Sequence, residues 1–129
     1  MIDLKDVISG AAKPPACDQT LCIQVVSAVE GKAICSWDID ERFLNSHQIV
    51  MGGYITSAAD ITMAYSMASI LEKKQGFATI NLQTTFLRPL HTGTAIIEST
   101  IVKQGRKTCY LEATVTQEDQ CVAKMTSSV

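Results

Sequence analysis

The sequence predicts an α+β domain in which an antiparallel sheet curls around one long, enclosed helix. Three observations carry that expectation. The run from Tyr54 to Leu71 contains no Pro or Gly and a single formal charge, Asp60. It is apolar almost all the way round, which marks a helix surrounded by protein. Two β-rich segments precede it and several with a two-residue period follow, so strands and helices are grouped and do not alternate. Curling the sheet around the helix is the simplest way to bury its whole circumference. The layout is five to six strands around one central helix, in a single domain spanning residues 1–129.

Each element has its own signal. Residues 3–10 predict a short amphipathic helix with Leu4, Val7 and Ile8 on one side. Gly10 to Asp18, with Pro14-Pro15, reads as loop, so residues 1–19 form a short helix and loop ahead of the core. Leu21–Ala28 and Lys32–Ile39 predict a hairpin about Glu30-Gly31. Asp38 to Gln48 is polar and irregular and leads into Gly52-Gly53. The helix follows, about five turns and roughly 27 Å long. Glu72-Lys73-Lys74-Gln75-Gly76 predicts its solvated end, with cations at the negative dipole end and Gly76 as cap. Phe77–Leu87, Thr94–Gln104, Thr108–Thr116 and Cys121–Ser128 predict four strands. In the third of these, Cys109, Leu111, Ala113 and Val115 share one face. Gly105-Arg106 marks a tight hairpin.

Composition narrows the function classes. The 129 residues suffice for one core, and 47% hydrophobic with 19% charged residues is the globular range. A formal charge of -2 gives no electrostatic reason to expect nucleic acid or anionic lipid. Asp60 and several Ser and Thr argue against the central run as a membrane span. Five cysteines without a CxxC pair or His-rich spacing read as reduced thiols of a cytoplasmic protein, and they predict no metal site. The acidic N-terminus is unlike a signal peptide.

Two features point to chemistry. A helix starting at Gly52-Gly53 offers free backbone N–H groups at its positive dipole end, as an oxyanion hole needs. A Gly pair in that place also serves as an ordinary turn. Asp60 is a carboxylate in an apolar helix, which must be paired, neutralised or used. It is either held by Thr56, Ser57 or an arginine, or it is functional. Gly53 and Asp60 lie about 10 Å apart along the axis, too far to share one carbonyl. Catalysis by both groups therefore requires two antiparallel copies across a two-fold axis.

Asn45, followed after five residues by Met51-Gly52-Gly53 and then Asp60 and Ala64, resembles the Asn-Pro-x-Gly-x-x-His-Gly-Gly … Asp motif of hotdog-fold acyl-CoA thioesterases. The phenylacetic-acid-degradation type is the nearest pattern. Similarity continues through Ala78–Pro89, Gly105-Arg106-Lys107 and the closing strand, over about residues 20–128. The resemblance implies thioester hydrolysis at a homodimer interface, often within a homotetramer. Coenzyme A is then part of the substrate and no separate cofactor is needed. By position it implies Asp60 as nucleophile or general base and Gly52, with Gly53, as the oxyanion donors. Asn45 would orient water or the thioester, and Thr79 would assist Asp60. Met51 stands at the motif's His, which is thought to support the oxyanion loop, and Ser46 and Gln48 replace its Pro and Gly. Met63, Ala64 and Met67 would line an acyl pocket, positions that plain core packing explains equally well. Arg88, Lys103, Arg106 and Lys107 are candidate partners for coenzyme A phosphates. His47 is out of register for the missing role, and His91 reads as surface. A non-catalytic acyl-CoA sensor is the rival reading.

Overall fold

A computed structural model describes residues 1–72 and 75–129. Among these residues three α-helices, α1 (Leu4–Ser9), α2 (Ala16–Leu21) and α3 (Gly52–Ile70), and a 3-10 turn at Glu41–Phe43 accompany six strands. The strands are β1 (Ile23–Val29), β2 (Lys32–Ile39), β3 (Asn81–Phe86), β4 (Gly93–Gln104), β5 (Cys109–Gln117) and β6 (Gln120–Ser128). They form one antiparallel sheet in the order β1-β2-β4-β5-β6-β3, leaving β1 and β3 as its edges. This is the predicted α+β hotdog arrangement. Among the described residues no helix is long and apolar enough to cross a membrane.

Turn chemistry sets the sheet register. Val29 pairs with Lys32, and the two residues between them, Glu30 and Gly31, both have positive φ. A two-residue turn of that hand matches the twist of the flanking strands. Glu118 and Asp119 repeat the device between Gln117 and Gln120. The β4–β5 connection is wider than a tight hairpin: Gln104 pairs with Cys109 and four residues intervene.

With register fixed, alternate residues face α3. Cys35, Ile97, Val115 and Ala123 form one cross-strand row, and Ala33, Ser99, Ala113 and Met125 the next. All eight are buried. Small residues in the second row let α3 approach closely. There the Ser99 hydroxyl donates to the Thr62 carbonyl at 3.2 Å and pairs with the Ser66 hydroxyl, while Thr62 bonds back to the Ala58 carbonyl at 2.9 Å. These bonds satisfy polar groups that burial would otherwise penalise.

The opposite side of α3 is covered by the N-terminal segment, and here the structure corrects the sequence reading. Residues 16–21 are helix α2, where a loop running to Asp18 and a strand from Leu21 were expected. Asp18 is only 2% exposed and accepts a hydrogen bond from the Tyr65 hydroxyl on α3. Burial, and then the Asp18 bond, raise the Tyr65 pKa. Helix α1 forms as expected, capped by Asp3, whose side chain accepts from the Lys5 N–H at 2.9 Å. Its Val7 is buried, with Leu4 and Ile8 packed against the core.

The end of α3 differs as well. The helix stops at Ile70 and its C-cap is Leu71 in extended conformation, so Gly76 is not the cap. Lys73 and Lys74, expected at the dipole end, lie outside the described residues. The strand expected from Phe77 forms over Asn81–Phe86, and the Ile80 and Leu87 N–H groups extend its bonding to the Ser128 and Val122 carbonyls, both at 2.7 Å. Its partner β6 ends at Ser128, opposite Asn81, so residues 77–79 have no strand to pair with there.

Replacing Tyr65 with Phe removes the donor to a buried carboxylate. Tyr65→Phe should lower unfolding free energy by about 1–3 kcal/mol, read from urea denaturation curves.

Candidate active site

Asp60 sits mid-way along α3 and is half-buried. Its carboxylate accepts a hydrogen bond from the Thr79 hydroxyl at 3.2 Å. Neither residue expected to hold it from the preceding turn does so. Thr56 bonds Thr84 at 2.9 Å and Ser57 bonds the Gly53 carbonyl at 2.9 Å. The ion pair found among the described residues is Asp40–Arg42, remote from this carboxylate in sequence and exposed. Among the described residues Asp60 therefore has one hydroxyl donor and no cationic partner. Burial pushes its pKa above the ordinary value, and the Thr79 bond pulls it partly back. A carboxylate in that state is a better base than a solvated one.

A cavity of about 250 Å³ opens beside Asp60 and Thr79, with Ile61, Ala64 and Tyr65 along one wall. Met63 and Met67, assigned with Ala64 to one pocket, are placed differently. Both are buried in the core, and Met67 reaches a separate cavity toward Arg106 and Lys107. On α3, Ile61 and Tyr65, one and five positions after Asp60, join Ala64 in lining it, and helical spacing held that signal. Leu4, Pro15, Cys17, Asp18, Phe77 and Ala78 line it from outside the helix, and the sequence reading placed none of them there.

The amide end of α3 is built from the chain before it. Met51 is the N-cap, its side chain making no capping bond and 45% exposed. The loop is held instead by backbone: Met51 N–H donates to the Phe43 carbonyl and Val50 N–H to the Leu90 carbonyl, both at 2.9 Å. The Asn45 side-chain oxygen accepts from the N–H groups of His47 at 2.9 Å and Ile49 at 3.4 Å. Asn45 thus braces the turn leading to the helix. Gly52 and Gly53 occupy the first turn, where N–H groups have no intrahelical acceptor. The Phe86 ring stands against Gly52, and a Cβ there would meet its Cζ at 2.7 Å. Only glycine fits without moving that ring.

Gly52, Asn45, Phe86 and Arg88 line a cavity of about 430 Å³ that shares no lining residue with the Asp60 cavity. Within one protomer, then, the fold joins Asp60 to Thr79 and Asn45 to Gly52 and Arg88, but keeps the two groups apart. Arg106 and Lys107 line a third cavity, on which Phe77 and Ala78 border both it and the Asp60 cavity. Lys103 is exposed on β4.

Residues 47–124, from before the α3 glycines into β6, match the family described as the thioesterase superfamily. The chain belongs to that superfamily. Acyl-coenzyme A thioesterase PaaI of Escherichia coli K12 is 32% identical over 108 residues, covering 81% of this chain and 74% of that protein. A phenylacetic acid degradation-related protein of Ralstonia eutropha JMP134 has a similar structure, with TM-score 0.92, 25% identity and 98% of each chain covered. A Streptococcus mutans UA159 protein solved bound to acetyl CoA has TM-score 0.75 and 29% identity, covering 82% of this chain and 85% of that one. The fold and superfamily membership identify this chain as a thioester hydrolase.

The Asp60 pKa has a consequence for stability. An acid whose folded pKa lies above its unfolded value opposes folding once ionised, and that penalty disappears as pH falls through the raised value. Asp60→Asn should therefore be as stable as wild type or more so near neutral pH. Its advantage should shrink toward the ordinary carboxylate range, as measured by urea denaturation across pH.

Proposed function

We propose that the chain hydrolyses acyl-CoA thioesters to the free acid and coenzyme A, with Asp60 as the catalytic carboxylate. The observation that carries this reading is a half-buried carboxylate with a raised pKa, one hydroxyl partner and a cavity at its side. Superfamily membership supplies the bond to be broken, and the E. coli relative's name and the acetyl-CoA-bound neighbour favour acyl-CoA as substrate.

The amides of Gly52 and Gly53 polarise the thioester carbonyl. Asp60 then either takes a proton from water as that water adds to the carbonyl carbon, or adds there itself. In both routes the tetrahedral oxyanion collapses with cleavage of the C–S bond, and coenzyme A leaves as thiolate. The water route gives the free acid directly, whereas direct attack leaves an acyl–Asp60 anhydride that a water molecule then hydrolyses to the free acid and the restored carboxylate. Thr79 aims the carboxylate. Asn45 keeps the glycine turn in shape, a role that fits its two backbone partners better than direct contact with water. Arg88, beside Gly52, is placed to meet a phosphate of the substrate.

The separation of Gly52 from Asp60 supports an active site built from two subunits. The amides of one protomer face Asp60 of the partner subunit. Edge strand β3 offers the joint: its outer backbone groups lack a neighbouring strand, and Ile80, Leu82, Phe86 and Leu87 are exposed along it. Exposed apolar edges invite pairing with another chain.

Asp60→Ala and Asp60→Asn should each lower kcat at least about 100-fold on a panel of acyl- and aryl-CoA thioesters, measured by release of free coenzyme A. Binding without turnover by the wild type across the whole panel would refute the hydrolase assignment. Light scattering should return at least a dimer, and Leu82→Lys with Phe86→Lys on β3 should lower both the mass and the activity.

A further inference from the structure

The N-terminal segment has no part in the chemistry described so far, yet it reaches the reacting carboxylate. Leu4 of α1, Pro15, and Cys17 and Asp18 of α2 line the same cavity as Asp60, Ile61 and Ala64. Leu4, Pro15, Cys17 and Asp18 all lie outside residues 47–124, the part matched to the superfamily. From these placements we infer that residues 4–18 form the far wall of the acyl-binding cavity, and that Cys17 sets the size of the acyl group accepted. The inference rests on the assignment of Asp60 as the catalytic carboxylate.

Three features support a built wall over a loose covering. First, α2 is tied to α3 at depth, because the buried Asp18 carboxylate takes the Tyr65 hydroxyl bond five residues beyond Asp60. The Cys17 thiol adds a second donor to that carboxylate at 3.4 Å, which fixes the side chain's direction. Although Cys17 is exposed, desolvation at its sulfur and the neighbouring Asp18 carboxylate raise this thiol's pKa, so it stays a neutral donor. Second, the approach to α2 is braced: the Gln19 side-chain amide donates to the Pro14 carbonyl at 2.9 Å and the Gln19 N–H to the Pro15 carbonyl at 3.2 Å. Third, the space matches an apolar acyl group. About 250 Å³ exceeds the roughly 150 Å³ that accommodates a benzene ring, and its long walls are Ile61, Ala64, Leu4 and Pro15. Ala64 presents only a methyl group to that space, and Cys17, a small and exposed side chain, lines it from α2. A larger residue at 17 fills the cavity without entering the core.

The test compares wild type with Cys17→Phe and Cys17→Ala, using acetyl-, hexanoyl-, octanoyl- and phenylacetyl-CoA and measuring KM and kcat separately. Calorimetric binding of S-ethyl- and S-octyl-CoA, thioethers that cannot be hydrolysed, runs in parallel. Cys17→Phe should raise KM for octanoyl- and phenylacetyl-CoA, and Kd for S-octyl-CoA, by about 10-fold or more. Acetyl-CoA and S-ethyl-CoA should stay near wild type, and Cys17→Ala should keep the long-chain substrates. Should Cys17→Phe fail to fold by circular dichroism, Leu4→Phe narrows the cavity from α1 with the same expected pattern. An octanoyl-to-acetyl preference within about twofold of wild type in a folded Phe variant, with unchanged S-octyl-CoA binding, overturns the inference. If the wild type turns over no thioester but Cys17→Phe still weakens S-octyl-CoA, the hydrolase reading falls and the wall stands. If wild type is active and Asp60→Asn is not, while residue 17 moves nothing, the wall falls alone.

Discussion

The structure depends on enclosing α3. Nine of its nineteen residues, spread around about 28 Å of helix, are buried, so protein covers most of its circumference and leaves Gly53 and Ser57 exposed. The sheet covers one side through rows of small and branched residues. Ser99 answers the polar groups of α3 at their crossing. Helices α1 and α2 cover much of the other side, anchored where Tyr65 meets Asp18. Asp60 is exceptional because both coverings leave a gap beside it. The same burial that stabilises the helix raises the acid's pKa and creates the apolar space next to it. Burial thus stabilises the helix and destabilises the ionised carboxylate at one residue.

A related economy governs the amide end. The loop before α3 lacks a side-chain cap at Met51, yet backbone bonds to Phe43 and Leu90 and the Asn45 oxygen hold it in place. This answers the question raised by Met51 at the motif's histidine position: support for the glycine turn comes from groups that every residue carries, plus one asparagine. Phe86 then closes on Gly52 from the edge strand. Glycine at 52 therefore reflects close approach of a ring as much as access to an N–H.

Much of this was legible in the chain. The helix, the two-residue turn at Glu30-Gly31 and the inward set of β5 follow from local rules of periodicity and turn chemistry, and they reappear at nearly the expected positions. Asp60 stood out because a charge within an apolar run demands a reason. Its hydroxyl partner Thr79 was legible only by resemblance, since nineteen residues and a change of direction separate them. Residues 16–21 misled because Pro14-Pro15 reads as loop and six residues are too few for a periodic signal. The pair Asp18–Tyr65 had no local signal at all, being 47 residues apart. The end of α3 misled for a different reason: Gly76 has the composition of a cap, but the chain turns off earlier, at Leu71.

What the amino-acid order alone determined is therefore whatever acts over a turn or a strand: element type, inward faces, the hairpin turns and the oddity of one buried acid. Tertiary structure decided which distant groups met. It set Thr79 against Asp60, Phe86 against Gly52 and the N-terminal helices against the far side of α3. It also placed Gly52 and Asp60 in separate cavities of the chain. The physical reason is range. Backbone propensity and side-chain period are felt within a few residues, whereas a site is assembled by packing that joins segments tens of residues apart.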